Sequence, residues 1–117
     1  MSKSEPATGQ VVIAAYRPKP GKSGELESIL SSHVRTLRAE GLATARPVTL
    51  LRSFGDGTYL EIFEWASGAA AQKAHETPSV AALWDAMAEV ADFVSLADLA
   101  ETHRPFPHFA PVDGVTS

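Results

Sequence analysis

The stretch Thr58–Trp84, TYLEIFEWASGAAAQKAHETPSVAALW, decides the fold of this chain. It begins with strict alternation through Trp65, which predicts a β-strand with two different faces. One face carries Tyr59, Glu61, Phe63 and Trp65, and the other carries Leu60, Ile62 and Glu64. A short helix ending at His75 follows, and Thr77-Pro78 starts a second helix, because threonine suits an N-cap and proline the first helical position. The stretch therefore places a histidine and both tryptophans of the chain near the ends of elements.

The segment before this stretch predicts a hairpin partner. Ala45–Phe54 is expected to form a strand, and Pro47 inside it indicates an edge strand, because proline cannot donate to a ladder. Gly55-Asp56-Gly57 then predicts a tight turn, since Asp-Gly suits the left-handed positions of a type I′ turn. If Asp56 and Gly57 form the loop, Arg52 lies opposite Glu61, and we expect an ion pair between them.

The N-terminal part predicts a strand followed by an amphipathic helix. Val11–Tyr16 is apolar almost without interruption, which favours a central strand buried on both faces. A helix is expected from Ser23 as its N-cap to a stop near Gly41. Its apolar face follows helical spacing and comprises Leu26, Ile29, Leu30, His33, Val34 and Leu37.

The C-terminal part predicts a helix, a strand and an arm. After the helix that carries Trp84, the range 93–103 is expected to form the last strand. The proline-rich tail is expected to be extended. Because it carries Phe106 and Phe109, we expect it to pack on another surface, such as a partner subunit. The predicted organisation is a flexible arm at 1–9, a single domain at 10–103 and a C-terminal arm at 104–117.

The element order β-α-β-β-α-β predicts an α+β fold of the ferredoxin-like plan, with an antiparallel sheet. Helices cover only one face of such a sheet. The apolar residues on its other face need a second cover, and the sheet of a second subunit would supply it.

The composition narrows the function classes. The net charge of −4 argues against nucleic acid and against an anionic membrane surface as partners. No apolar run approaches the roughly 20 residues of a membrane-spanning helix. The chain has no cysteine, so thiol catalysis is excluded, and a cytoplasmic location is expected.

Three segments carry a resemblance to a known family. They are Tyr16–Lys22 at the end of the first strand, Glu61–Trp65, and Ala69–His75 followed by Thr77-Pro78. On these residues the chain resembles the dimeric α+β barrel superfamily, and within it the antibiotic-biosynthesis-monooxygenase-like domain, over about residues 10–103. The resemblance implies a homodimer whose sheets face each other, with a pocket between each sheet and its own helices. Relatives include cofactor-free oxygenases acting on phenolic polycyclic aromatics, haem-degrading enzymes, lactone isomerases and proteins without a known reaction.

The chain departs from the haem-degrading branch of that family. It has no asparagine, and Tyr16 stands about where that branch has one. Trp84 or Asp85 falls about where its haem-ligating histidine would be. Haem degradation is therefore not expected, and we expect no cofactor.

His75 and His33 are the candidate catalytic residues, because imidazole can exchange a proton near neutral pH. Each has a plainer alternative: His75 could cap a helix C-terminus, and His33 could be a hydrogen-bonded core residue. His103 and His108 lack a third ligand in the pattern, so no metal site is expected.

The candidate substrate-binding residues are aromatic, with one cation. They are Trp65, Trp84, Tyr16, Tyr59 and Arg52. Indoles could stack on a flat substrate or donate to a developing oxyanion, although core packing is the commoner role of buried aromatics. The sequence thus favours a monooxygenase-like protein that needs no cofactor and acts on a small hydrophobic or aromatic molecule, with an isomerase as a weaker option. The alternative is a non-catalytic binding or interaction protein of the same fold.

Overall fold

The computed structural model describes residues 9–113, which form an α+β fold. In chain order the elements are β1 (Gln10–Pro18), α1 (Ser23–Ala39), β2 (Thr49–Arg52), β3 (Tyr59–Trp65), α2 (Ala70–His75), α3 (Pro78–Val90), β4 (Ala91–Val94) and β5 (Ala110–Pro111). Short 3-10 turns at Leu96–Asp98 and Ala100–His103 separate β4 from β5. The α+β class expected from the sequence is confirmed.

The strands form one five-stranded sheet in the order β4-β1-β3-β2-β5. Every neighbouring pair is antiparallel. Inward side chains of β1 and β3, such as Tyr16 and Phe63, pack with apolar residues of α1 and α3. The core therefore lies between the helices and one face of the sheet.

The first helix follows its predicted face. Its buried residues are Leu26, Leu30, His33, Val34 and Leu37. Gly41 follows the helix with a φ of 75°, a left-handed conformation that glycine adopts without strain. The histidine of this helix is thereby held inside the core.

The expectation that β1 is buried on both faces is wrong. Val11 and Ile13 point away from the helices and are 56% and 46% exposed. On that outer face, Leu99 of the segment that follows β4 covers the region around Ala15 and Leu60. β1 is central in the sheet, but its first half has a helix layer on one side only.

The predicted hairpin register is also wrong. Arg52 pairs with Tyr59, and Glu61 pairs with Leu50, so the register is shifted by two residues from the expected one. The loop is longer than expected. Ser53 donates its N–H to Thr58 O at 2.8 Å, so the turn is formed by all the residues between Ser53 and Thr58. The shift leaves Arg52 on the expected face, but its guanidinium donates to Gly57 O and Ser23 Oγ rather than to Glu61. Its guanidinium lies 5.0 Å from the centre of the Tyr59 ring instead.

β2 is shorter than predicted and is not the edge strand. It starts at Thr49, so Pro47 lies before the ladder rather than inside it. Its outer side pairs with β5, through Leu51 opposite Pro111. The chain's own tail thus covers the edge that the proline was expected to protect.

The last predicted strand, 93–103, is also wrong in extent. β4 ends at Val94 because Ser95 caps the following turn, with its side chain accepting from Ala97 N–H. The tail then folds back on the sheet of its own chain: Val112 N–H donates to Leu50 O at 2.9 Å, and Phe109 packs beside Leu99. The expected N-terminal arm lies outside the described residues except for Gly9.

Glu101 fixes the returning segment to the hairpin. Its carboxylate is buried and accepts from Ser53 Oγ at 2.6 Å and from Gly55 N–H at 3.3 Å. The hydrogen bond from Ser53 holds the pKa of the Glu101 carboxyl below its usual value.

We predict that Glu101→Gln destabilises the protein by about 1 kcal/mol at neutral pH, because the charged acceptor is lost. A lowered folded-state pKa stabilises the protein above the unfolded-state pKa, near 4.5, and this contribution disappears as the pH falls. Urea unfolding of both proteins from pH 7 to pH 3 measures the difference. It should shrink below pH 4.5, and a constant difference would contradict this role of the Glu101 carboxylate.

Candidate functional site

A buried polar cluster connects four elements beneath the sheet. His33 of α1 contacts Glu61 of β3, with Nδ1 at 2.9 Å from Oε1 and 3.0 Å from Oε2. Tyr16 of β1 donates its hydroxyl to Glu61 Oε1 at 2.8 Å. Trp84 of α3 donates its indole N–H to His33 Nε2 at 2.9 Å. His33 is 1% exposed and Glu61 is 0% exposed, so water does not compete for these bonds.

The donors around His33 determine where its proton lies. An indole nitrogen can only donate, so His33 Nε2 must accept from Trp84 and carries no proton. The proton of the neutral ring is therefore on Nδ1, where it is donated to Glu61. A neutral histidine oriented by a carboxylate is the arrangement that prepares Nε2 to act as a base.

Glu61 is the charged centre of the cluster. Its carboxylate accepts from two side chains, which compensates its removal from water. Burial raises the pKa of Tyr16 well above its usual value, and the negative charge and hydrogen-bond acceptance of Glu61 raise it further. Tyr16 is therefore a neutral donor at physiological pH.

A cavity of about 380 Å³ adjoins this cluster. It is lined by Val12, Ile13, Ala14, Ala15, Tyr16, His33, Phe63, Trp65, His75, Trp84, Met87, Phe93 and Val94. The lining is mostly apolar, with imidazole, indole and phenol groups as its polar side chains. This size and composition are those of sites for small organic ligands.

His75 and Trp65 stand at the cavity in less buried positions. His75 is exposed, and its ring packs edge-on against Trp84 at 4.9 Å between ring centres. Trp65 is half-buried and packs against Phe63 at the same separation of 4.9 Å. The structure thus brings His33, His75, Trp65, Trp84 and Tyr16 together around one space.

Tyr59 and Arg52 are not part of this cavity's lining. Tyr59 donates its hydroxyl to Glu27 at 2.6 Å, and burial together with that carboxylate raises its pKa to about 12. Arg52 donates to Gly57 O and to Ser23 Oγ. Both side chains connect the hairpin to the start of α1.

Sequence reasoning missed the role of Glu61. The wrong hairpin register assigned it to Arg52, which lies two residues beyond Leu50, its actual partner. A usable signal was present: Glu61 lies on the inward face of β3 between aromatic residues, and His33 lies on the apolar face of α1. An acid and a base on two facing buried surfaces are expected to pair, because neither is stable there alone.

A second cavity, of about 590 Å³, lies where the C-terminal segment crosses the hairpin. Phe54, Glu101, Arg104, Phe106 and His108 are among its lining residues. Among residues 9–113, no group of three or more histidine, aspartate or glutamate side chains is placed to hold a metal ion.

No family model, curated protein or solved structure matches this chain. In the part of the chain that the structure describes, no helix is long and apolar enough to cross a membrane.

We predict that neither tyrosine of the folded protein ionises near pH 10, where a free phenol does. The folded-state pKa values of Tyr16 and Tyr59 are both raised, the second to about 12. The folded protein therefore keeps phenol protons that the unfolded chain releases, and its stability falls as the pH rises above 10. Tyrosinate absorbance measured with and without urea gives both titrations.

Tyr16→Phe is the matched control for that titration, because it leaves Tyr59 as the only phenol of the chain. Its remaining transition should stay near pH 12. A tyrosine that titrates near pH 10 in the native protein would contradict the burial of the cluster.

Proposed function

We propose that the cavity binds a small, flat, hydrophobic molecule with an acidic proton, such as a phenol or an enol, and that His33 removes this proton. The observation that carries the proposal is the neutral His33 ring, which lines the cavity, is oriented by Glu61 and has an unprotonated Nε2. In this arrangement the carboxylate stabilises the imidazolium that forms when the ring accepts a proton.

Trp84 has to move for this chemistry to occur. Its indole N–H occupies the His33 lone pair that would accept the substrate proton. The Trp84 side chain is only half-buried, so an entering ring can displace it toward the cavity mouth. The freed indole N–H then becomes a donor for oxygen charge on the bound substrate.

The resemblance to cofactor-free oxygenases suggests the step after proton removal. The electron-rich anion would react with dioxygen, forming a carbon–oxygen bond. A CH₂ group of the substrate would become C=O, and the second oxygen atom would leave as water. The substrate supplies all the electrons, so this monooxygenase reaction needs no cofactor.

A non-catalytic binding protein is the second candidate function. The hydrogen bonds of His33 favour it, because Glu61 and Trp84 already bond to its two ring nitrogens and leave neither one free to accept a substrate proton. His75 offers an alternative base, but its exposed ring stands at the rim, where water would solvate the proton.

The proposal includes a cytoplasmic homodimer that associates through the outer faces of its sheets, forming a dimeric α+β barrel. The strand order β4-β1-β3-β2 supports it, because the ferredoxin-like plan has the same order. The exposure of Val11 and Ile13 supports it too, since a facing sheet would cover them.

Aerobic turnover of 1,8-dihydroxyanthrone, followed by quinone formation and oxygen uptake, tests the proposed reaction. We predict that His33→Gln lowers the rate by about 100-fold, the scale of a lost general base. Trp84→Phe should also lower it, because the indole N–H that stabilises oxygen charge on the bound substrate is lost. His75→Gln should lower it less than tenfold.

His103→Gln is the matched control, because this exposed histidine bonds to Ala97 O away from the cavity. Circular dichroism verifies that each variant is folded. A large loss in His75→Gln with none in His33→Gln would contradict the assignment of the base. Absence of turnover together with quenching of tryptophan fluorescence by 1-naphthol would establish the binding function instead.

A further inference from the structure

The cavity lies at a gap in the sheet beside β1. β1 runs from Gln10 to Pro18, but β4 pairs only with its second half, Ala15–Pro18. β4 stops at Val94, and the chain then enters the capped turn at Ser95. Within residues 9–113, no strand pairs with the first half of β1 on this side.

The ladder identifies which main-chain groups face the gap. Lys19 N–H donates to Val90 O at 2.8 Å, one step beyond the ladder in the same register, so the odd-numbered residues of β1 present their N–H and C=O toward β4. The bond from Ser53 N–H to Thr58 O supports the same assignment from the other side of the sheet. It shows that the even-numbered residues of β3 present their N–H and C=O toward β2. The odd-numbered residues of β3 therefore bond to the even-numbered residues of β1, which leaves the odd-numbered residues of β1 facing β4. Ile13 therefore points its N–H and C=O into the gap.

Ile13 is part of the cavity lining although its side chain belongs to the outer face of the sheet. Its main-chain N–H and C=O, which point into the gap, are a donor and an acceptor side by side. Val11 has the same orientation but is not part of the lining. The cavity thus combines an apolar interior with one hydrogen-bonding edge supplied by Ile13.

We infer that the ligand of this cavity carries an N–H donor beside a C=O acceptor at the edge of its ring, as a lactam does. The donor would bond to Ile13 C=O and the acceptor would receive Ile13 N–H, in the places that the C=O and N–H of one residue of a neighbouring strand would take. The inference rests on the proposed function for the apolar cavity and adds the polar edge of its ligand.

An extended peptide could use the same groups by strand addition. The observations favour the small molecule, because the lined space is about 380 Å³ and only Ile13 of the two gap-facing residues contributes to it. A peptide would pair with Val11 as well.

Binding of 2-quinolone and of N-methyl-2-quinolone, followed by quenching of tryptophan fluorescence, tests the inference. Both indoles of the chain line the cavity. The two probes differ in the N–H donor, and we expect 2-quinolone to bind about tenfold more tightly. Equal affinities would overturn the inference.

Ile13→Pro removes the gap-facing N–H that would donate to the quinolone C=O, without removing a ladder bond, and it should weaken the binding of 2-quinolone about tenfold. Val11→Pro is the matched control: it removes an equivalent N–H outside the cavity, and the affinity for 2-quinolone should persist. If Ile13→Pro does not fold, amide exchange in the unaltered protein replaces it. Bound 2-quinolone should slow exchange at Ile13, and unchanged exchange would overturn the inference.

Failure of this inference is distinguishable from failure of the proposed function. If 1-naphthol binds and neither quinolone does, the inference about the polar edge of the ligand is wrong, and the proposed apolar binding site is supported. If a short blocked peptide such as acetyl-Val-Val-amide slows exchange at both Val11 and Ile13 and displaces 2-quinolone, the edge is a strand-addition site and the small-molecule inference is overturned. If 2-quinolone binds more tightly than N-methyl-2-quinolone but the anthrone is not turned over, the inferred ligand class is supported and the proposed oxygenase reaction is contradicted.

Discussion

The hydrogen bond between His33 and Glu61 is the contact on which the rest of the site depends. A carboxylate that is 0% exposed is costly unless its oxygens are hydrogen-bonded. Here the donors come from α1 and β1, so the contact fixes how the first helix sits on the sheet. Leaving a buried polar group without its hydrogen-bond partner costs about 1–3 kcal/mol, and more when that group is a charged carboxylate.

The same contact explains why a cavity lies beside the cluster. His33 has a second nitrogen to satisfy, and Trp84 reaches across from α3 to donate to it. The indole spans the space between the helices and β1, and apolar residues such as Met87 and Phe93 line the remaining volume. Where β4 ends early, that volume opens at the edge of β1. The hydrogen bonds of His33 thus shape the interior of the site, and the early end of β4 sets its mouth.

Periodicity alone predicted much of the fold, and specific side-chain chemistry accounts for what it missed. The face of α1, the alternation of β3 and the start of α3 at Pro78 followed from spacing and capping residues. The hairpin register did not, because the side chains of Asp56 and Ser53 accept hydrogen bonds from loop N–H groups and extend the loop beyond a two-residue turn. The sequence identified His33 and Trp84 as candidates, but their contact joins residues 51 positions apart, which no local pattern encodes. The early end of β4 likewise depends on the Ser95 cap, which competes with strand propensity.

The protonation state of His33 is the sharpest test of this site. Nitrogen NMR of the histidine rings in ¹⁵N-labelled protein at neutral pH distinguishes protonated from unprotonated ring nitrogens, and His33→Gln assigns the signals. We predict a neutral His33 with its proton on Nδ1 and an unprotonated Nε2. A proton on Nε2, in either the other neutral tautomer or an imidazolium, would contradict the hydrogen bond from Trp84 and the base proposed from it.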